Sequence, residues 1–193
     1  CLSRGLGDVY KRQVYIVRYA VLDWGPTLLG EWKGVSIHHA GWMVAAFEIS
    51  GIVGMLVAGW ATDRFFGGRG PRVCVICMAL ATVFVALFWG ISQPPMWLAT
   101  LLLGAAGFCI YGPQALVGIA AANIATKKAA ATAVGFTGLF GYASTLVSGW
   151  GLGLLAQHYG WNIAVGALIL IAIMGTLIFM AAWSAKANGY DND

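Results

Sequence analysis

The stretch from Gly41 to Ala61, GWMVAAFEISGIVGMLVAGWA, decides the fold. It has 21 residues, and Glu48 is its one charged side chain. A helix rises 1.5 Å per residue, so crossing the ~30 Å hydrocarbon core of a bilayer takes about 20 apolar residues. The stretch has that length and that apolar character, which predicts a membrane-spanning helix.

Five more stretches of this kind flank it, and charged or turn-forming residues separate them. Of the 193 residues, 60% are hydrophobic and 9% are charged, whereas a soluble domain is about 25% charged. This composition excludes a water-soluble, disordered or collagen-like chain, and the apolar runs lack the two-residue alternation of membrane β-barrel strands. The sequence therefore predicts an all-α membrane protein with six transmembrane helices. The other five stretches are Val14–Gly30, Val73–Ile91, Met96–Ala122, Ala129–Ala156 and Ile163–Trp183.

The two ends of the chain differ from this pattern. Residues 1–13 are polar, run into the first stretch without a transition and lack the apolar core of a signal peptide. We interpret them as a non-native leader of the kind that translated adapter sequence produces. Residues 14–183 are then a six-helix transmembrane bundle whose first helix begins mid-span, with natural sequence missing upstream. Residues 184–193 are predicted to be a cytoplasmic tail.

The basic residues between the stretches predict the orientation. The breaks alternate between the two membrane faces, and one face holds six lysines and arginines while the other holds only Lys33. Loops rich in Lys and Arg stay on the cytoplasmic side. We therefore expect a multi-pass protein of the cell inner (plasma) membrane with its C-terminus in the cytoplasm. The six bases are Arg64, Arg69, Arg72, Lys127, Lys128 and Lys186.

An internal repeat relates the first three stretches to the last three. Trp24–Pro26 (Trp-Gly-Pro) returns as Tyr111–Pro113 (Tyr-Gly-Pro) after 87 residues, and the same offset relates the glycines of Gly51–Gly54 to those of Gly138–Gly141. Three spans per copy force the copies to insert in opposite orientations. Such three-plus-three inverted repeats build each six-helix half of major facilitator transporters, so the repeat predicts one transporter half. For each proline, a functional bend and an ordinary membrane-helix proline remain alternatives.

Three charged side chains, Arg18, Asp23 and Glu48, fall inside the predicted spans. A charge at the bilayer centre costs ~2.5–3.5 kcal/mol even on insertion scales, so they indicate a polar interior or a water-filled path. Arg18 suits phosphate, because its planar guanidinium donates two parallel hydrogen bonds and stays protonated. One positive and two negative charges cannot complete an anion site, so a missing half would have to supply cations. The alternative is that Arg18 extends to the inner face.

Three tyrosines are candidate hydroxyl donors near these charges. Tyr15 lies one turn before Arg18 on the same face, and Tyr111 and Tyr142 lie in the fourth and fifth spans. Each of them could equally be a packing or interfacial tyrosine. The chain lacks a metal-ligand cluster, a nucleophile–base pair and a phosphate-cradling loop, so we expect no enzyme and no metal or other cofactor. The small net charge of +4 also indicates no nucleic-acid partner.

The loop after the second stretch carries a recognisable pattern. Gly59 is followed by Asp63 and Arg64, and further bases come at Arg69 and Arg72. This resembles the signature of the major facilitator family, although glycines and a proline separate the bases here. The resemblance implies a gating role for Gly59, Asp63, Arg64 and Arg69, in charge contacts at the inner face that break and reform. A loop that only sets the topology would explain the arginines but not Asp63.

A narrower resemblance covers Val14 to about Trp183. Val17–Thr27 (VRYAVLDWGPT), Ile110–Pro113 (IYGP) and Lys127–Tyr142 are similar to the C-terminal half of organophosphate:phosphate antiporters, most of all the glycerol-3-phosphate transporter branch. The resemblance implies that Arg18 is one of two arginines, one per half, that grip the substrate phosphate. It implies that Asp23 and Glu48 balance that charge and that Tyr15, Tyr111 and Tyr142 line the cavity. The resemblance also implies that Val134 and Thr137 stand where the hexose-phosphate carriers have a charged pair, which points away from hexose phosphates without excluding them.

The sequence thus predicts a fragment of a secondary transporter. We expect it to exchange an organophosphate such as glycerol 3-phosphate for inorganic phosphate by alternating access, together with a missing N-terminal six-helix half. The alternative is a membrane sensor of the same family that binds sugar phosphates and signals without transporting them. A membrane-embedded enzyme lacks support, because no reactive cluster is present.

Overall fold

The computed structural model describes residues 2–91, 94–124, 130–181 and 183, and all secondary structure in these residues is helical. Lys127, Lys128, Lys186 and the predicted tail 184–193 lie outside them. The elements are α1 Leu2–Lys33, α2 Ile37–Phe66, α3 Gly70–Gly90, α4 Met96–Ile124, α5 Ala130–Leu146, a π-helical turn Val147–Gly151, α6 Leu152–Tyr159 and α7 Trp161–Ala181.

Four helices of the described part are long and apolar enough to cross a membrane. They are α2, α3, α7 and the Met96–Ile119 segment of α4. This confirms the prediction of an all-helical, multi-pass membrane protein. The helix α1 runs from Leu2 through residues 2–13 without a break, so its backbone marks no boundary at the predicted leader, whose origin stays a prediction.

Glycines end the helices where the sequence breaks its apolar runs. Gly34 follows α1 at a φ of 67°. Gly67 ends α2 at a φ of 55°, and its N–H donates to the carbonyl of Thr62. Both φ angles lie in the left-handed region, which costs a residue with a Cβ more than it costs glycine. Pro71 stands in the first turn of α3, where its missing N–H would have no helical partner.

The predicted stretch Ala129–Ala156 is not a uniform α-helix in the structure. The π-helical turn Val147–Gly151 interrupts it, and the helix then continues as α6 to Tyr159. Gly149 and Gly151 contribute no side chain to this turn, and the indole of Trp24 donates a 2.9 Å hydrogen bond to the Gly149 carbonyl from α1. The hydropathy of the sequence could not predict this turn, because residues of the same hydropathy can form either a π-helical or an α-helical turn.

Close backbone contact between α2 and α4 positions the interior of the bundle. A Cβ on Gly54 would overlap the backbone of Phe108, and one on Gly107 would overlap the carbonyl of Phe47. Glycines at both crossings let the two helices approach more closely than larger residues would. The largest fully buried side chains around this contact are Phe47, Met43, Met78, Ile110 and Pro113.

Large apolar side chains face outward on α2, α3 and α7. Leu56, Leu80, Leu170 and Leu177 are each more than 40% exposed. In water such a surface would be unfavourable, whereas lipid chains solvate it at no cost. The polar side chains described next are carried by α1, α2, α4 and α5.

Candidate functional site

An ion pair between α1 and α2 forms the centre of the site. Arg18 Nη2 donates to Glu48 Oε2 at 3.3 Å, and the two side chains are 18% and 32% exposed. Among the side chains that the structure describes, this is the one ion pair. The guanidinium is therefore turned toward a neighbouring helix of the bundle. A polar interior requires this orientation, whereas an arginine that extends to the inner membrane face does not.

Tyr111 brings α4 into the same group. Its hydroxyl donates a short hydrogen bond to Glu48 Oε2, and the centre of its ring lies 4.3 Å from the guanidinium carbon of Arg18. A cation over an aromatic ring is attracted by about 0.5–2 kcal/mol, depending on desolvation. The ring lies where a Cβ of Gly51 would be, so a glycine on α2 makes room for it. One carboxylate oxygen thus holds both Arg18 and Tyr111.

The pair leaves part of its hydrogen-bonding capacity unused. Arg18 Nε and Glu48 Oε1 are both buried, and neither has a hydrogen-bond partner in the structure. A buried polar atom without a partner costs about 1–3 kcal/mol, and more when it is charged. Arg18 therefore retains a donor for an acceptor such as a phosphate oxygen.

Three tyrosines next to the ion pair form what we call the tyrosine wall: Tyr15, Tyr19 and Tyr142. The ring centroids are 5.7 Å apart for Tyr15 and Tyr19, 6.0 Å for Tyr15 and Tyr142 and 6.4 Å for Tyr19 and Tyr142. Gly141 faces the ring of Tyr15, and a Cβ there would lie 3.1 Å from it. The Tyr19 ring is 5.4 Å from the Arg18 guanidinium carbon. The structure thus places Tyr111 on Arg18 itself, and Tyr15 and Tyr142 against Tyr19, which lies beside Arg18.

Sequence reasoning missed two members of this group. Tyr19 follows Arg18 directly, and its spacing of four residues from Tyr15 places both on one helix face, a signal that was available. Gln114 lies one turn after Tyr111, within hydrogen-bonding reach of Tyr15, and its Oε1 is buried without a partner. No signal in the sequence marked Gln114, since a glutamine in a membrane helix has many packing roles.

Asp23 is not part of this cluster. It is exposed, and its Oδ2 lies 4.0 Å from where a Cβ of Gly149 would be, beside the π-helical turn. Five residues separate it from Arg18, which is about 140° around the helix. The structure brings Glu48 to Arg18 and leaves Asp23 on another face of α1. No contact between described residues therefore supports a charge-balancing role for Asp23.

The predicted gating residues lie at the junction of α2 and α3. Asp63 and Arg64 are exposed in the last turn of α2, and Arg69 precedes the first residue of α3. Gly59 has open space where a Cβ would be. Among the described side chains, Asp63 forms no ion pair, and the gating role stays a prediction.

Comparison with known proteins gives the family. Residues 15–189 match the family model of the Major Facilitator Superfamily. The chain belongs to the Major Facilitator Superfamily. The similarity of this major facilitator chain to organophosphate carriers, predicted from its motifs, is confirmed by its relatives.

Three of these relatives carry different functional names. A "Glycerol-3-phosphate transporter" of Haemophilus influenzae is 35% identical over 194 residues, which covers 90% of this chain and 40% of the relative. A "Probable hexose phosphate transport protein" of Chlamydia muridarum is 41% identical over 175 residues, or 90% and 38%. A "Membrane sensor protein UhpC" of Salmonella typhimurium is 34% identical over 175 residues, or 90% and 39%.

This major facilitator chain therefore spans about two fifths of the length of these relatives. One of the three is named as a carrier of glycerol phosphate, one as a carrier of hexose phosphate and one as a sensor. The argument against hexose phosphates, drawn from Val134 and Thr137, stays a prediction, since the side chains of both residues lie outside the described part of the structure.

Proposed function

We propose that this chain is the C-terminal six-span half of an inner-membrane antiporter that exchanges an organophosphate, such as glycerol 3-phosphate, for inorganic phosphate by alternating access. The observation that carries the proposal is the Arg18 guanidinium, held inside the bundle by one carboxylate oxygen and flanked by tyrosines. Relatives named as transporters of glycerol phosphate and hexose phosphate support the substrate class.

The six spans of this proposal are α1, α2, α3, α4, the α5–π–α6 rod and α7, related as a three-plus-three inverted repeat. The packing supports the repeat: α2 packs on α4, and α5 packs on α1, which are equivalent pairs when α1–α3 is superposed on α4–α7. Relatives more than twice as long support a missing N-terminal half. The excess of bases between α2 and α3 supports a cytoplasmic C-terminus.

Substrate phosphate would bind Arg18 through two parallel hydrogen bonds. To do so it must compete with Glu48, whose Oε2 lies 3.3 Å from Nη2. Tyr111 donates to the same oxygen and would keep the displaced carboxylate satisfied. The empty site is then neutral through Glu48, and the loaded site needs further cations from the missing half. Phosphate bound between both halves supplies the differential contact that favours the closed state.

No bond is made or broken in such an exchange, so the proposal involves no catalytic group, metal or cofactor. The gradient of inorganic phosphate drives uptake of the organophosphate. Asp63, Arg64 and Arg69, with Gly59 beside them, would form and release charge contacts at the cytoplasmic ends of the halves as these rock. The exposure of Asp63 and Arg64 in the present half is consistent with partners on the other half.

The Arg18→Lys substitution tests the role of the guanidinium. In the full-length protein it should abolish phosphate exchange in proteoliposomes and leave expression unchanged, because an ammonium cannot donate two parallel hydrogen bonds. Lys33→Arg, a swap of one cation for another outside the cluster, is the control and should exchange phosphate at the normal rate. Near-normal exchange by the Arg18→Lys protein would refute the role.

A sensor is the second candidate function, because relatives named as membrane sensor proteins match as much of the chain as several of the transporters do. The same Arg18 cluster would then bind a sugar phosphate and report occupancy to another protein. Proteoliposomes loaded with inorganic phosphate separate the two: a transporter exchanges labelled external phosphate, whereas a sensor binds phosphate esters without exchange.

A further inference from the structure

The contact between α1 and α5 follows a line of aromatic side chains and glycines from the tyrosine wall to the outer end of the bundle. At one end, Tyr15 packs on Gly141 and Tyr19 on Tyr142. Seven residues after Tyr142, or about 10 Å at 1.5 Å per residue, Gly149 of the π-helical turn meets Trp24 of α1. The two helices therefore run in the same direction, and Trp24 lies in register with the wall.

Trp24 makes a specific polar contact in this line. Its Nε1 donates to the Gly149 carbonyl at 2.9 Å, and its ring fills the space beside Gly153, where a Cβ would lie 2.6 Å from it. The carbonyls of a regular α-helix point along the axis to the N–H four residues on. Gly149 lies in the π-helical turn Val147–Gly151, where the wider turn lets a side chain from another helix reach the carbonyl.

Beyond Trp24 the two helices separate. An open cleft of about 490 Å³ lies there, lined by Thr27, Glu31, Gln157 and Trp161 among others. The Trp24–Gly149 bond is the last close polar contact between α1 and the π-helical turn in the described structure. A second indole hydrogen bond, from Trp161 Nε1 to Glu31 Oε2 at 2.8 Å, joins α7 to α1 and does not involve α5.

We propose that Trp24 is a positioning residue that fixes the register of α5 on α1 and so keeps Tyr142 against Tyr19, the ring next to Arg18. It touches neither Arg18 nor the proposed phosphate position, and it acts through the Gly149 carbonyl and the helix that carries Tyr142. The proposal rests on the proposed function for its effect on phosphate, and it extends that function by coupling the outer end of the bundle to the binding site.

A double-mutant cycle tests this coupling in the full-length protein, with inorganic phosphate as the probe. Trp24→Phe keeps most of the ring and removes the donor, and it should weaken phosphate binding by about two- to tenfold, the range for one neutral hydrogen bond. Tyr142→Phe should weaken binding in the wild type, but by less than twofold further in Trp24→Phe, since the wall is already displaced. Additive effects of the two substitutions would overturn the proposal.

Trp161→Phe is the matched control. It removes the other indole bond to this cleft, and its ring also contacts Trp24, with centroids 6.0 Å apart. A merely structural role of indoles at this end predicts equal effects for both tryptophans. Our proposal predicts that Trp161→Phe leaves phosphate affinity within twofold of wild type and does not couple to Tyr142→Phe.

A second measurement needs no ligand and separates this proposal from the proposed function. The Tyr19→Cys and Tyr142→Cys substitutions are combined in a protein without its other cysteines, and the two thiols are joined by a short bifunctional reagent. Trp24→Phe should slow this cross-linking at least threefold, and Trp161→Phe should not change it. Unchanged cross-linking in Trp24→Phe would overturn the register argument even if phosphate binds, and slowed cross-linking would support it even if phosphate does not.

Discussion

Glu48→Gln is the substitution for which the structure gives the clearest expectation. In the proposed mechanism, phosphate and Glu48 compete for the same guanidinium, and the carboxylate lies 3.3 Å from it. Glutamine is nearly isosteric, and its carbonyl oxygen can still accept the Tyr111 hydroxyl. The charge that opposes phosphate is removed while the shape of the site is kept. We therefore expect the variant to bind inorganic phosphate more tightly than the wild type.

The size of the effect follows from the geometry. Two unit charges at 3.3 Å attract by about 5 kcal/mol at an effective dielectric constant of ~20 and by about 1 kcal/mol in water. The side chains are 18% and 32% exposed, which places the pair toward the weaker limit. A gain of about 1–2 kcal/mol corresponds to a roughly 5- to 30-fold lower dissociation constant. Exchange should slow, because release of phosphate becomes harder.

Calorimetric titration of the purified full-length protein with inorganic phosphate measures this constant, and a thermal melt supplies a second readout. Without phosphate the variant should melt earlier, because Arg18 loses its counter-charge. Phosphate should then raise its melting temperature more than it raises that of the wild type. Asp23→Asn is the control, since it removes the same charge from an exposed position, and it should change affinity less than twofold. Equal or weaker phosphate binding by a folded Glu48→Gln protein would refute the competition argument.

Three further substitutions probe the neighbouring contacts. Tyr111→Phe removes the hydroxyl that holds the competing carboxylate but keeps the ring, so phosphate affinity should fall about two- to tenfold in the same titration; an unchanged constant would contradict this. Gly51→Ala puts a Cβ into the Tyr111 ring and should destabilise the protein by about 1–3 kcal/mol in thermal melts, whereas Gly41→Ala on the same helix, with open space at its Cβ, should not. Lys33→Met removes the 2.6 Å bond to the Ile91 carbonyl and should cost about 1 kcal/mol, a loss that Lys33→Arg should largely avoid.

The apolar centres of the helices could be predicted because the physical signal is local. An apolar run of about 20 residues needs no information from elsewhere to favour a membrane helix. The ends were less accurate, since the predicted stretch Gly41–Ala61 became the helix Ile37–Phe66, which Gly67 ends through its own left-handed backbone. That Tyr15 and Arg18 share a helix face also follows from one helix, since three residues nearly complete a turn.

Contacts between helices were beyond the sequence. Asp23 and Glu48 both fall inside predicted spans, yet Glu48 meets Arg18 and Asp23 does not, because the rotation of α1 turns Asp23 toward the π-helical turn. The Trp24–Gly149 bond joins residues 125 positions apart, and it depends on a local widening of the helix that hydropathy does not register. To predict contacts of this kind, one must know how each packed helix is rotated relative to its neighbours.

The backbone contact between α2 and α4 has a mechanical consequence. With Gly54 on Phe108 and Gly107 on Phe47, no side chain separates these two helices at the two crossings, so sliding or tilting of one against the other would meet hard repulsion there. Glu48 and Tyr111 are therefore carried on a single stiff unit, which would keep its shape through the proposed transport cycle. Any flexing within this half must be taken up by α1 and the rod behind it, whose contacts are rings and hydrogen bonds that can part and reform.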